Sequence, residues 1–103
     1  MDIEMQLGDR LFEWDENKNK KNLRKHGINF ETAVLVFNDE NRREYYDFRH
    51  SEDEDRYQTI GMVEDLLCVI HTERGDRTRI ISAREANPKE RRKYYGNSNL
   101  RFT

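Results

Sequence analysis

The fold is decided by residues 56–84, which read RYQTIGMV, ED, LLCVIHTER, GD and RTRIISAR in turn. The three longer runs are rich in β-branched and aliphatic residues that alternate with polar ones, a pattern typical of strands. Two-residue spacers separate them, and the glycine of Gly75-Asp76 favours a type II′ hairpin. The stretch therefore predicts three consecutive antiparallel strands, Arg56–Val63, Leu66–Arg74 and Arg77–Arg84.

The register of these strands follows if both loops have two residues. Met62 would then face Leu67 across the first turn, and Leu67 would face Arg84 across the second. The centre of one face would carry Ile60, Val69 and Ser82, and that of the other Thr59, Ile70 and Ile81. Both centres are partly aliphatic, so we expect both faces to be covered, although a slip by one residue would exchange them.

A strand and a helix are predicted before this core. Leu11–Trp14 alternates as a short strand, and Asp15 after it is a suitable helix N-cap. Residues 16–26 then form a helix that ends at Gly27, which favours the left-handed C-terminal conformation. Because Leu23 is the one aliphatic residue of this helix, it cannot be buried along a wide stripe.

Further segments complete the predicted order. Asn29 can cap a helix over Phe30–Phe37, whose apolar residues recur at helical spacing, and Arg43–Arg49 has the aromatic content of a strand. Residues 87–90 combine an N-cap, a proline and a glutamate that begin a last helix through about Tyr95. The order β-α-α-β-β-β-β-α predicts an α+β domain with a mostly antiparallel sheet and helices packed on it.

Length and composition fit one domain of 103 residues, 34% hydrophobic and 39% charged. We expect a weakly ordered lead-in over residues 1–11, one domain over 12–96 and a C-terminal tail over 97–103. No apolar run approaches the roughly 20 residues that a membrane helix needs. The single cysteine, Cys68, excludes an internal disulfide. These features predict a cytoplasmic protein without a membrane partner.

The formal net charge of -2 hides an uneven distribution. Residues 1–73 contain ten Lys and Arg against 18 Asp and Glu, whereas residues 74–103 contain nine against three. Residues 18–25 add five basic groups with no acid among them. If the basic segments 18–26 and 77–93 converge on one face, they form a cleft for nucleic acid.

Several short motifs follow one another along the chain. They are Phe12-Glu13-Trp14-Asp15, Lys25-His26-Gly27, Phe30-Glu31-Thr32-Ala33, Phe37-Asn38-Asp39, Arg56-Tyr57, Ile60-Gly61, Arg79-Ile80-Ile81-Ser82-Ala83-Arg84 and Lys89-Glu90-Arg91-Arg92-Lys93-Tyr94-Tyr95. Their order is that seen in the BrnT toxins, so the chain resembles this family over about residues 12–95. The resemblance implies a RelE-like fold and an endoribonuclease toxin of a bacterial type II toxin–antitoxin pair, with no cofactor and no metal.

The same resemblance implies the partners. RNA would be the substrate, and a BrnA-type antitoxin with a DNA-binding domain would neutralise the toxin in a complex of two toxins with two antitoxins. Contact with DNA would then be indirect, through the antitoxin.

Metal-free cleavage of RNA requires a base for the 2′-OH proton, cations for the charge of the phosphorane and an acid for the leaving 5′-oxygen. Arginine binds phosphate bidentately, and histidine changes its charge near neutral pH. The candidate catalytic residues are Lys25, His26, Arg56, Arg79 and Arg84. The candidate substrate-binding residues are Lys21, Arg91, Arg92 and Tyr95.

Each candidate has a structural alternative. A charged His26 could instead stabilise the end of its helix, by roughly 0.3–1 kcal/mol. The arginines could pair with acidic residues at the sheet edge, namely Glu73, Glu85 or Glu90. His71 shares a predicted face with Arg56 and Gln58, but a structural pair with Glu73 is the favoured interpretation.

Other chemistry is less favoured by the pattern. Cys68 and His71 should point to opposite faces of one strand and so cannot easily share zinc. The acidic loop His50–Asp55 lacks the glycine and the spacing of a calcium loop, which favours a solvated loop over a magnesium site. Two functions stay open beside the enzyme: a non-catalytic module that binds nucleic acid or protein, and an interaction protein whose acidic residues 37–65 dock a basic partner segment.

Overall fold

Six strands form one mixed sheet in the computed structural model, which describes residues 1–96. The strands are β1 (Asp2–Leu7), β2 (Arg10–Asp15), β3 (Arg43–Tyr46), β4 (Tyr57–Met62), β5 (Leu66–Arg74) and β6 (Arg77–Glu85). The helices are α1 (Glu16–His26), α2 (Phe30–Ala33) and α3 (Pro88–Tyr95), with 3₁₀ turns at Val34–Asn38 and Phe48–His50. The strand order is β1-β2-β6-β5-β4-β3, in which β2 and β6 run parallel and the other described neighbours antiparallel. The predicted α+β class is confirmed.

Strand β1 is the main difference from the predicted order, because residues 1–11 were expected to form a weakly ordered lead-in. Instead β1 pairs with β2 over its whole length, from Asp2 opposite Asp15 to Leu7 opposite Arg10. Its alternating apolar side chains, Ile3, Met5 and Leu7, pack against the core. Residues 2–7 alternate polar and apolar side chains as a strand does, but the acidic residues among them favoured the prediction of a weakly ordered segment. The predicted tail at 97–103 lies outside the described residues.

The predicted register is wrong by one residue at two places. The first turn has three residues rather than two, so Met62 faces Leu66 instead of Leu67. The second turn pairs Arg74 with Arg77 as predicted, but an irregularity between Ile70 and His71 shifts the pairing beyond it. Because one residue of shift turns a side chain to the other face, the predicted combinations across strands do not hold.

One face of the sheet carries the larger apolar cluster. It joins side chains of β2, β5 and β6 to those of α2 and the following 3₁₀ turn: Phe12, Trp14, Ile28, Phe30, Ala33, Val34, Val36, Phe37, Leu67, Val69, Ile80 and Ala83. The predicted apolar stripe of residues 30–37 is buried here. A side chain at Gly61 would lie 2.8 Å from Cβ of Val36, so only glycine allows the 3₁₀ turn this close to β4.

Helix α1 reaches the sheet through amides rather than through an apolar stripe. Asn22 donates to the carbonyls of Ile28 and Ala83, both at 2.8 Å, and accepts from the Ala83 amide at 3.1 Å. Asn19 accepts from the amide of Phe30 at 2.8 Å. Leu23, by contrast, is 48% exposed. Asn22 thus completes the backbone hydrogen bonding of β6 beyond the point where β2 leaves it.

The opposite face carries a smaller cluster beneath α3. Ile60, Leu66, Cys68 and Ile70 are buried there, with Tyr94 of α3 packed against them. Asn87 and Glu90 form the predicted capping box at the start of α3, with hydrogen bonds of 2.8 and 2.9 Å. Both faces are therefore covered, as predicted. No helix of residues 1–96 combines the length and the hydropathy that would let it cross a bilayer.

Candidate functional site

The two basic segments predicted to share a cleft are attached to the sheet through different contacts. Helix α1 contacts β6 and β2, with Asn22 bonded to the backbone of Ala83, and Lys25 and His26 at its end are exposed. Arg84 faces Cys68 of the smaller cluster and is bonded to α3. Arg79 also projects from that second face, where it meets Glu13. None of the five principal cavities of residues 1–96 combines Lys25 or His26 with Arg79 or Arg84, so the structure gives no support to the predicted cleft between residues 18–26 and 77–93.

Arg79 is neutralised by the first two strands. Its guanidinium lies 2.7 Å from Glu13 and 3.2 Å from Asp2 and is only 13% exposed. The hydrogen bond to Asp2, together with that to Glu13, raises the pKa of Arg79. Arg77 beside it pairs with Glu4 in the same way. The guanidinium of Arg79, which the sequence suggested as a phosphate ligand, is thus paired with two carboxylates instead.

Arg84 is paired with Glu90 and also lines a cavity. It binds both oxygens of Glu90, at 2.7 and 2.8 Å, and this pairing raises the pKa of Arg84. Burial alone would raise the pKa of Glu90, but the bonds from Arg84 and from the Asn87 amide outweigh it and lower that pKa. The pair fastens α3 to β6 and leaves the arginine side chain 39% exposed.

His71 has a structural role, as predicted, although its partner differs. It faces Tyr57 and not Gln58, and its Nε2 lies 2.7 Å from the hydroxyl of Thr59 rather than near Glu73. Burial, with a smaller contribution from Arg10, lowers the pKa of His71 to about 4. This histidine is therefore neutral and part of the core.

A basic groove runs between α3 and β3 on the second face. We call it the α3 groove; its volume is about 610 Å³, and it is lined by Arg43, Tyr45, Lys89, Arg92, Lys93 and Gly96. Lysines 89 and 93 and Arg92 stand three and four residues apart, so α3 presents them on one face. The opposite side of α3 is anchored by Tyr94, whose hydroxyl donates to Asp39 at 2.6 Å.

A second cavity of about 430 Å³ adjoins the α3 groove and shares two lysines, Lys89 and Lys93, with it. It extends under the segment between β3 and β4 and is also lined by Tyr46, Asp47, Phe48, Arg49, His50, Gln58, Ile70, Arg84, Asn87 and Glu90. Within residues 1–96, most cations of both cavities have no carboxylate partner, and Nζ of Lys93 lies 4.7 Å from the centroid of the Tyr45 ring. Among residues 1–96, no carboxylate lies within 4.0 Å of the charged atoms of Arg43, Arg49, Lys89, Arg92 or Lys93.

The remaining candidates are distributed as follows. Arg56 lines a third cavity with Arg49 and His50, and its guanidinium lies 3.9 Å from Glu54. Arg91 and Tyr95 are exposed on α3, and Lys21 is exposed on α1. Of the predicted candidates, Arg92 therefore lines the α3 groove, Arg84 lines the cavity that adjoins it, and Arg56 lines the third cavity.

Sequence reasoning missed several members of this site. Arg43, Lys89 and Lys93 were not singled out, because their meeting depends on β3 and α3 lying side by side. His50 and Asp47 were also missed. Nδ1 of the His50 ring lies 2.7 Å from a carboxylate oxygen of Asp47. The spacing of three residues between them was the one available signal. Within the described range, His, Cys, Asp and Glu form no group of three or more that could hold a metal ion.

The fold and this site define a small α+β protein with a basic groove at one edge of its sheet. The family model of the ribonuclease toxin BrnT of type II toxin–antitoxin systems matches residues 14–90. The chain therefore belongs to the BrnT family of ribonuclease toxins, which confirms the resemblance seen in the sequence.

A solved structure agrees with this assignment. The chain is similar to the crystal structure of the Brucella abortus ribonuclease toxin BrnT, determined at 1.1 Å, with a TM-score of 0.56 and 25% sequence identity. The match covers 72% of this chain and 92% of the Brucella chain. A comparison with curated proteins finds no match. Strand β1 precedes the residues that the family model matches.

Proposed function

We propose that this toxin is an endoribonuclease that binds RNA in the α3 groove and cleaves it without a metal ion. The observation that carries the proposal is a row of cations along the groove, Arg43, Lys89, Arg92 and Lys93, continued by Arg49 in the second cavity, none of which has a carboxylate partner within residues 1–96. Clefts lined by one sign of charge focus the electrostatic field and attract a polyanion. A strand of RNA places a phosphate at every nucleotide and so matches such a row.

The chemistry follows from the same side chains. In-line attack of the 2′-oxygen builds negative charge on the phosphorane, and fixed guanidinium and ammonium groups stabilise that charge more in the transition state than in the substrate. Arg84 and Arg92, proposed from the sequence, belong to this site, and Arg91 and Tyr95 extend it along α3. Arg56 adjoins it, whereas Lys21, Lys25, His26 and Arg79 are not supported by their positions.

Neutralisation is proposed to follow the family pattern. A BrnA-type antitoxin would cover the α3 groove in a complex of two toxins with two antitoxins, in the cytoplasm, and would carry the contact with DNA. Type II membership supports the existence of an antitoxin partner. Its acidic residues would be expected to meet the unpaired cations, because buried charges need partners.

The proposal is tested by incubating purified toxin with RNA in EDTA. We expect cleavage to persist and to fall at least about tenfold in Lys89→Gln/Lys93→Gln, because each lost bond to a charged phosphate costs about 1.5 kcal/mol or more. The matched control is Lys18→Gln/Lys20→Gln, which removes the same charge from exposed positions of α1. Cleavage lost in EDTA and restored by a divalent cation would contradict metal independence, and equal losses in both variants would contradict the site.

The alternative is a non-catalytic module of the same fold. Binding of RNA that weakens with salt and yields no product at any protein ratio would select it.

A further inference from the structure

His50 and Asp47 form a hydrogen-bonded pair beside the α3 groove, in the second cavity. Nδ1 of His50 lies 2.7 Å from Oδ2 of Asp47. The two side chains differ in exposure: that of Asp47 is 5% exposed, whereas that of His50 is 56% exposed. The carboxylate is thus buried behind the ring, and the ring faces the solvent-filled cavity.

The backbone around this pair is held in place at several points. The amide of Asp47 donates to the carbonyl of Arg56 at 2.8 Å, and the hydroxyl of Ser51 donates to the carbonyl of Asp47 at 2.6 Å. The same hydroxyl accepts from the Arg56 amide at 2.9 Å. Ser51 therefore closes the segment between β3 and β4 onto itself, which limits the positions that the imidazole can take.

The contact with Asp47 determines which nitrogen of His50 is available. An ionised carboxylate can only accept hydrogen bonds, so Nδ1 carries the proton that is donated to it. In the neutral ring, Nε2 then has a free lone pair, which can accept a proton. This is the arrangement by which a buried carboxylate orients a histidine base in hydrolytic enzymes.

The charges around the ring favour a phosphate nearby. On the groove side the ring faces Arg84 of β6 and Lys89, Glu90 and Lys93 of α3. On its other side are Arg49 in its own segment and Glu52, Asp53, Glu54, Arg56 and Arg74 in the third cavity. Because Glu90 is bonded to Arg84, Lys89 and Lys93 are the cations on the groove side that have no carboxylate partner among the described residues.

We propose, on the basis of the function proposed above, that His50 is the general base of RNA cleavage and that Asp47 is its positioning residue. Nε2 of His50 takes the proton of the 2′-hydroxyl, and the 2′-oxygen forms a bond to phosphorus. The bond from phosphorus to the 5′-oxygen breaks, and that oxygen takes a proton from water. The products are a 2′,3′-cyclic phosphate and a 5′-hydroxyl, and the imidazolium returns its proton to solvent.

The test compares His50→Gln with the wild type on a fluorescent RNA in EDTA. General base catalysis contributes about 10²- to 10⁴-fold, so we expect kcat to fall at least about a hundredfold. The dissociation constant for RNA, measured by anisotropy with a 2′-O-methyl version of the same RNA, should change by less than about twofold. Because His50 is exposed, the variant should keep the unfolding midpoint of the wild type.

Four readouts test whether His50 is a base or a merely structural histidine. The wild-type rate should decrease on acidification as an imidazole takes up a proton, and this decrease should vanish in His50→Gln. Added imidazole should restore part of the activity of His50→Ala. Asp47→Asn should lower kcat without changing the affinity for RNA, and mass spectrometry should detect the cyclic phosphate in the wild-type product.

The outcomes distinguish this inference from the proposed function. Wild-type cleavage that His50→Gln retains in full, or that His26→Gln abolishes in its place, would overturn the role of His50 and leave the groove proposal standing. A protein that binds RNA and never cleaves it would overturn the proposed function itself. Loss of RNA affinity and of kcat together in His50→Gln, without imidazole rescue in His50→Ala, would make the histidine structural.

Discussion

Helices α1 and α3 have similar charge but different surroundings. Each carries a run of basic residues, and each is fastened to the sheet by polar side chains. The cations of α1 are exposed, whereas those of α3 line a groove against β3. A basic helix therefore becomes a candidate site only where a facing wall gives it concavity, because a cleft concentrates the field that an exposed surface disperses.

The two helices also differ in what holds them. Helix α1 depends on Asn22, whose amide bonds three backbone groups. Helix α3 depends on the pair of Glu90 with Arg84 and on the bond from Tyr94 to Asp39. Measurements of the free energy of unfolding can show how much stability each attachment contributes.

The largest effect is expected for Asn22→Leu. A leucine would strengthen an ordinary amphipathic helix, but here it leaves two carbonyls and one amide buried without partners, at about 1–3 kcal/mol each. We expect the free energy of unfolding in urea to fall by about 4 kcal/mol. The matched control is Asn17→Leu, at an exposed position of the same helix, which should change it by less than about 0.5 kcal/mol. Equal values for both would show that α1 is held in some other way.

Acid should destabilise the first face through His71. Its folded-state pKa of about 4 lies below the ordinary value of 6.5, so between these pH values the unfolded chain binds a proton that the folded chain does not. The stability that neutral His71 contributes is therefore present above pH 6.5 and lost as the pH falls towards 4, by about 3 kcal/mol. Urea unfolding as a function of pH measures this.

His71→Gln isolates the effect from that of other acids. The variant should be less stable at neutral pH, because it disturbs the contact with Thr59, but its stability should decrease less between pH 6.5 and 4. His26→Gln, an exposed histidine on α1, should keep the wild-type slope. A slope unchanged in His71→Gln would mean that the acid sensitivity arises elsewhere.

The smallest effect is expected for Tyr94→Phe on α3. Burial, together with the hydrogen bond to Asp39, raises the pKa of Tyr94 to about 12, so the hydroxyl remains a donor at neutral pH. Its removal should cost about 1 kcal/mol of unfolding free energy. A double-mutant cycle with Asp39→Asn should give a coupling of similar size, and additive effects would show that the bond does not hold α3 in solution.

Much of the local structure could be predicted. The left-handed Gly27, with φ of 73°, the cap of α2 by Asn29 and the capping box of α3 all occur where the residues indicated them. These features depend on contacts within a few residues along the chain. The apolar stripe of residues 30–37 was predicted for the same reason.

The candidate site could be anticipated only in part. Arg84 and Arg92 were candidates and line two adjoining cavities, but a carboxylate partner for Arg79 comes from β1, which lies 77 positions away in the sequence. The three-residue turn between β4 and β5 and the irregularity in the pairing of β5 with β6 changed which side chains share a face of the sheet, compared with the prediction. Small differences in loop length have this effect because side chains alternate with a period of two.

Short-range patterns of residues were enough to predict the α+β class, the caps of α2 and α3 and the BrnT family, but they did not reveal strand β1. Which cations lie together depends on tertiary contacts between distant segments. Arg43 and Lys93 meet across the α3 groove because β3 forms the sheet edge beneath α3, whereas Lys25 lines neither this groove nor the cavity beside it. Neighbours of this kind depend on strand order and register, which sum the packing of the whole chain.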